Sequence, residues 1–215
     1  MTLYGPVRES MTRLLSAPRL ETYKTASSGK LDHALALYKW NTDISGAFLE
    51  SQHYFEVALR NTVVEAVRRR WCPQVDDHWY DENLVPWDGR SRQEIQRAKS
   101  RLAVKGKSET DGQMTAEVMF GFWVRLFDTG YSSTLWKEAL KSAMVPNTQR
   151  KKFHASLERL QRLRNRAAHH EPLIHLDCRA EYEALLSASL RVHADLGWWI
   201  DAQSRVPELL GKRLA

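Results

Sequence analysis

Arginines, an asparagine and two adjacent histidines crowd into the stretch RLRNRAAHHE, Arg162 to Glu171. These residue types suit cleavage of RNA by its own 2′-hydroxyl. A histidine moves a proton at the attacking or leaving oxygen, as an acid when protonated and as a base when neutral. An arginine brings permanent charge and a fork of donors that match phosphate oxygens as negative charge develops. On a helix, Asn165 and His169 are four apart and stack on one face, whereas Arg164 is displaced from His169 by roughly 140° and reaches by its length. His170 lies about 100° from His169, so the two histidines cannot do the same job within one chain. The negative end of the helix dipole favours imidazolium in the last turn. Pro172 disfavours helical geometry at Glu171, which predicts a helix end near His170.

Other readings of the same residues stand beside catalysis. Both histidines can simply cap carbonyls at a helix end, and spacing alone does not separate that role from chemistry. Glu171 and His175 are spaced like metal ligands, but Pro172 interrupts the helix that would align them and no HExxH or nearby thiolate is present. Cys72 and Cys178 are far apart and form no CxxC pattern. No metal and no cofactor is expected. The same helix carries Arg150, Lys151, Lys152, Arg159, Arg162, Arg164 and Arg166 against Glu158. That face either attracts a polyanion with strong salt dependence or is simply solvated.

A chain of 215 residues suits one domain with a substantial core. Its 43% apolar and 27% charged residues are those of a globular protein, and eight tryptophans supply bulk to bury. A net charge of +6 favours an anionic partner without naming one. The start, MTLYGPVRESMTRLL, has no apolar core of a signal sequence, and no apolar run reaches spanning length. A cytoplasmic protein with no membrane partner is expected.

The elements that must position the motif read as helices throughout. Ile44, Phe48, Phe55, Leu59, Val63 and Val67, with Ala47, Ala58 and Ala66 beside them, form a buried stripe. Asn41 or Thr42 reads as an N-cap, dividing this helix from a shorter one over Leu31 to Trp40. CPQVDDHWYDENLVPWDGR lacks any period and predicts a structured loop, followed by a helix from about Ser91 to Val104. KGKSETDGQ reads as a mobile connection. MTAEVMFGFWVRLFD predicts one dense core helix, with Val118, Phe122 and Leu126 at i+4 steps and Met119 and Trp123 alongside. FGFW reads as packing, with Gly121 allowing close helix approach. Asn147 reads as the N-cap of the motif's helix, whose apolar stripe is Phe153, Leu157, Leu160 and Leu163. A last helix should run from Asp177 towards Gln203 with Tyr182, Leu185, Leu186, Leu190 and Leu196 inward. The expected organisation is an N-terminal extension over 1–30, a helical domain over 31–203 and a tail over 204–215.

RNRAAH, Arg164 to His169, resembles the Rx4H motif of the HEPN superfamily. Three stretches, YKWNTDISGAFLESQHYFEVALRN (Tyr38 to Asn61), MFGFWVRLF (Met119 to Phe127) and LRNRAAHHEPL (Leu163 to Leu173), resemble in order and style the Abi-like family, the AbiD/AbiF type of bacterial abortive-infection proteins. The resemblance covers roughly residues 30 to 200. It implies an all-α, HEPN-like, single-domain bundle of about six to eight helices that dimerises with two motifs facing one cleft. It implies a metal-independent endoribonuclease acting in phage defence or as a toxin, with Arg164 and His169 as the catalytic pair and Asn165 as the polar second position. His170, Glu56, Arg60 and Asn61 are expected to support them, and Lys151, Lys152, Arg159, Arg162 and Arg166 to bind RNA. Expected partners are RNA and a second copy of the chain, with an antitoxin or phage-derived trigger as a further one. The competing reading is a non-catalytic helical module that binds RNA or protein.

Overall fold

The computed structural model describes residues 5–213. Among them there is no strand, and seven α-helices run ten residues or more: α1 Gly5–Leu14, α2 Ala17–Ala26, α3 Leu31–Trp71, α4 Gly89–Val104, α8 Arg150–Ala168, α9 Cys178–Val192 and α10 Ala194–Gln203. Shorter pieces are α5 Asp111–Glu117, α6 Phe120–Arg125, α7 Lys141–Ala143 and α11 Val206–Gly211, with a 3-10 turn at Thr129–Tyr131 and a π-helical stretch at Ser132–Leu140. The all-α helical class predicted from periodicity is the class observed. Residues 1–4 of the expected extension and 214–215 of the expected tail lie outside the described residues.

The described residues divide into two compact units, one of 5–51, 163–183 and 203–213, the other Gln52–Arg162 with Ala184–Ala202. In the second unit, the irregular loop 72–88 is ordered by burying Trp79, Tyr80, Val85 and Trp87. Trp79 stands 5.2 Å from Trp123 and 6.1 Å from Trp87, and Trp87 stands 5.7 Å from Phe122, centroid to centroid. Each such ring removes about 150–250 Å² from water, and tilted pairs gain beyond that area. In the first unit, Leu20 and Tyr23 of α2 are buried, as are Trp40, Ile44 and Phe48 of α3 and Leu163 and Ala167 of α8.

Four expectations about helix ends and faces are corrected. The α3 helix is continuous for 41 residues, with no break at Asn41 or Thr42. The Thr42 hydroxyl donates to the Tyr38 carbonyl at 3.1 Å, a bond available only inside a helix. The Asn41 side chain is committed elsewhere, and neither Pro nor Gly interrupts Trp40 to Ile44. The MTAEVMFGFWVRLFD segment breaks at Val118 and Met119, whose ψ angles of 131° and 152° are extended. Apolar residues there fall on every side of a helix. The break buries Val118, Phe120, Phe122, Trp123, Val124, Leu126 and Phe127 together and leaves Met119 exposed.

Asn147 adopts a left-handed φ of 65° and α8 starts after it, with the Phe153 amide donating to the Gln149 carbonyl. The last helix stops at Val192 and restarts at Ala194. His193 makes the corner by accepting the Asp195 amide on its ring nitrogen at 3.2 Å. Leu190 lies off the α9 stripe of Tyr182, Leu185, Ser189 and Val192 and faces out, 48% exposed.

Helix α4 begins where the sequence places it because Asp88 caps it, accepting the Ser91 amide at 2.6 Å. Arg125 donates to both carboxylate oxygens at 3.1 and 2.9 Å. Partial burial alone would raise the Asp88 pKa, but the Ser91 amide and the Arg125 guanidinium outweigh it and hold the carboxyl below its usual range. A depressed folded pKa contributes stability that is present above the unfolded value of about 3.9 and is lost as pH falls through the folded value. Wild type should therefore lose stability on acidification through and below that value more steeply than Asp88→Asn, which keeps a capping oxygen but does not titrate. Asp88→Ala should lose about 1 kcal/mol at neutral pH. Thermal unfolding across pH measures both; parallel pH curves for wild type and Asp88→Asn would contradict the assignment.

Candidate functional site at the end of helix α8

Helix α8 buries Phe153, Leu157, Leu160, Leu163 and Ala167, a stripe built of steps of three and four. The opposite face carries the motif's polar residues. Asn165, His169 and His170 are exposed, and Arg164 is partly buried. The His169 amide still donates to the Asn165 carbonyl at 2.9 Å, so the two side chains occupy successive turns of one face, as their spacing predicts.

The helix stops in a Schellman arrangement. His170 takes the left-handed position, φ 59°, its amide donating to the Ala167 carbonyl at 3.2 Å while the Glu171 amide donates to the Arg166 carbonyl at 2.8 Å. Glycine usually fills that position because a Cβ is strained there. The backbone of His170 thus terminates the helix, and its side chain leaves in a direction different from that of His169.

Side chains both near and distant in sequence hold the turn that follows. Arg19 of α2 donates to the His170 carbonyl. Arg166 donates to the Pro172 carbonyl at 2.7 Å and stands 3.5 Å from the Glu171 carboxylate. Asn41, 5% exposed inside the N-terminal half of α3, accepts the Leu173 amide at 2.6 Å. Arg213 donates to the Ile174 carbonyl at 2.6 Å while its guanidinium lies over the Trp40 ring. Cys178 donates to the Leu173 carbonyl at 3.7 Å, and burial pushes its thiol up to about 11, which keeps it protonated rather than nucleophilic.

The remaining predicted residues fall in the second unit. Lys151, Lys152 and Arg162 are exposed with no acidic partner among the described residues, and Arg159 is partly buried. Glu56 and Arg60 form their i,i+4 pair at 2.9 Å with side chains only 13% and 17% exposed. The pair is therefore largely desolvated, and not the exposed surface pair whose worth would be a few tenths of a kcal/mol. Asn61, one residue on, is exposed. Among the described residues no group of three His, Cys, Asp or Glu side chains is placed to hold a metal ion, and no helix is long and apolar enough to cross a membrane.

Sequence reasoning missed Arg19, which stands 151 positions from the carbonyl it binds in a segment read as an extension. It also misread Asn41. The available signal was an asparagine set between Trp40 and Ile44 on the buried stripe, a polar group that burial obliges to find a partner.

A family model described as Abi-like protein matches residues 11–175, and the chain belongs to that family. No curated protein and no solved structure matches it.

Two substitutions test how the turn is held. Replacing His170 by glycine relieves the left-handed strain and should raise stability by about 1 kcal/mol. Asn41→Ala strands a buried amide at Leu173 and should lower stability by about 1–3 kcal/mol. Denaturant titration of both variants is the check; a destabilised His170→Gly would mean that the side chain, not the backbone, closes the helix.

Proposed function

We propose that this Abi-like protein is a metal-independent endoribonuclease of the HEPN type, working in the cytoplasm in phage defence or as a toxin. The observation that carries the reading is the presentation of Asn165 and His169 on one exposed face, at a helix end fixed by Arg19, Asn41, Arg166 and Arg213. Fixed groups lower a barrier because their orientation is set before substrate arrives.

In the proposed reaction the 2′-oxygen attacks the adjacent phosphorus and loses its proton to a base. The 5′-oxygen leaves with a proton from an acid, and a 2′,3′-cyclic phosphate remains. His169 moves one of these protons, Arg164 holds the phosphate oxygens as charge builds, and Asn165 orients one of the two. One histidine cannot stand on both sides of the phosphorus at once, so a second copy of the chain supplies the facing group in a homodimer. His170 supports His169 by closing the helix, and Glu56, Arg60 and Asn61 have a supporting role. Lys151, Lys152, Arg159, Arg162 and Arg166 form the RNA-binding set. Arg166 would act there through the turn it holds, and the exposed lysines and Arg162 through direct attraction to phosphates. Control by an antitoxin or a phage-derived trigger fits a toxin held silent until infection.

The unpaired Lys151, Lys152 and Arg162 also favour a second reading, a non-catalytic RNA-binding module. Such a module would bind RNA with an affinity that falls steeply with salt, and form no product.

Purified protein is expected to cut RNA in the presence of EDTA, and His169→Ala to lose about a hundredfold or more of that activity while its circular dichroism and melting are retained. Cleavage that survives His169→Ala, or that requires magnesium, would overturn the mechanism. Salt-sensitive binding without product under any condition would establish the second reading.

A further inference from the structure

A cleft of about 240 Å³ lies wholly within the first unit, between the last turn of α8, the N-terminal half of α3 and the face of α2 that carries Arg19 and Tyr23. We infer that it receives one nucleobase of an RNA substrate, next to the phosphate that is cut; this rests on the endoribonuclease reading.

Its volume is below the roughly 300–1,000 Å³ of pockets that take drug-sized ligands, and so it suits a single ring system. Its walls are mostly apolar: the rings of Tyr23 and Tyr38, which meet edge to face at 5.0 Å, the side chain of Leu49, and Ala167 and Ala168. Tyr23 is buried behind the wall, so the ring left for a base is that of Tyr38, and such stacking is tolerant of sequence.

Polar groups are placed among these walls. Ser45 lines the cleft, and the residue is 7% exposed, with its hydroxyl oxygen closed to solvent. It has no hydrogen-bond partner among the described residues. A buried hydroxyl left in that condition is costly, and a turn about the Ser45 Cα–Cβ bond would bring it to the edge of a base. Asn41 spends its oxygen on the Leu173 amide and keeps its amide hydrogens for a ligand. Arg19 and His170 also line the cleft. Arg19 has no carboxylate partner among the described residues, which leaves its guanidinium's charge for a phosphate.

Gly46 supplies an independent observation. It stands inside α3, where glycine is about 1 kcal/mol worse than alanine. Neither of the usual reasons for a glycine holds there: its φ is not left-handed, and an added Cβ would meet nothing within 4 Å. The missing side chain leaves the cleft open. Because His170 lines the cleft and His169 precedes it, a base seated there belongs to a nucleotide adjoining the proposed catalytic group.

The test uses the full chain and 2′-O-methyl trinucleotides, which cannot be cut through the blocked hydroxyl. Wild type is expected to prefer one base over the others by about tenfold at one position. Gly46→Leu, which fills the cleft, should abolish that preference, and Ser45→Ala, which removes no internal hydrogen bond, should weaken it. Equal preference in a folded Gly46→Leu protein overturns the inference, as does binding of a free nucleoside monophosphate as tight as that of the trinucleotide, since the cleft would then serve a small effector. Base preference in a protein that cuts no RNA upholds the cleft and removes the enzyme reading. Cutting whose base preference survives Gly46→Leu removes the cleft and leaves the enzyme reading standing.

Discussion

One hydrogen bond organises the candidate site: the buried Asn41 oxygen, inside the N-terminal half of a long helix, accepts the Leu173 amide at 2.6 Å. Buried amides must be paired, and a turn containing Pro172 cannot continue the α8 ladder. Asn41 supplies the partner that the ladder lacks. With the chain tied at Leu173, the path back to His170 is short, and His170 must turn left-handed to make it. Arg19, Arg166 and Arg213 then bind carbonyls along the same turn. Residues far apart in sequence thus converge on the backbone around the two histidines, and the side chain of His169 is left exposed on a fixed support.

That arrangement separates two duties. Backbone groups of Arg166, Ala167, His170 and Glu171 end the helix, so the end does not depend on the imidazoles. The side chains of Asn165 and His169 are consequently released for other work, which removes one objection to a catalytic reading. Arg164 stands on the partly buried side, where a guanidinium is less screened than at the surface. In the proposed enzyme, this places a permanent charge in lower dielectric and leaves the imidazole exposed.

The legible parts of the sequence were those governed by local physics. Pro172 placed the end of α8 within two residues, and the apolar stripe through Phe153 and Leu163 assigned its buried face. The stripe through Ile44 and Val67 did the same for α3. What was not legible depended on contacts distant in sequence. Asn41 looked like a cap because asparagine commonly caps helices, and only its pairing with Leu173 explains its place inside one. Val118 and Met119 lie in a run too apolar for one helix face, so tertiary packing overrode the period. His193 broke a helix through its own ring nitrogen, and Leu190 fell off the buried stripe of Tyr182, Leu185, Ser189 and Val192. Arg19 carried no local signal at all, and the cleft it borders could not be read before α2, α3 and α8 were placed together.

The most direct measurement of the central claim is the chemistry of the cut ends. Mass spectrometry of the fragments released from a short RNA by the wild-type chain in EDTA should find 2′,3′-cyclic phosphate on the upstream fragment and a free 5′-hydroxyl on the downstream one. Both should be absent with His169→Ala. A 3′-hydroxyl paired with a 5′-phosphate would mean that water or a metal-activated nucleophile attacks instead, and would contradict the role given to the end of α8.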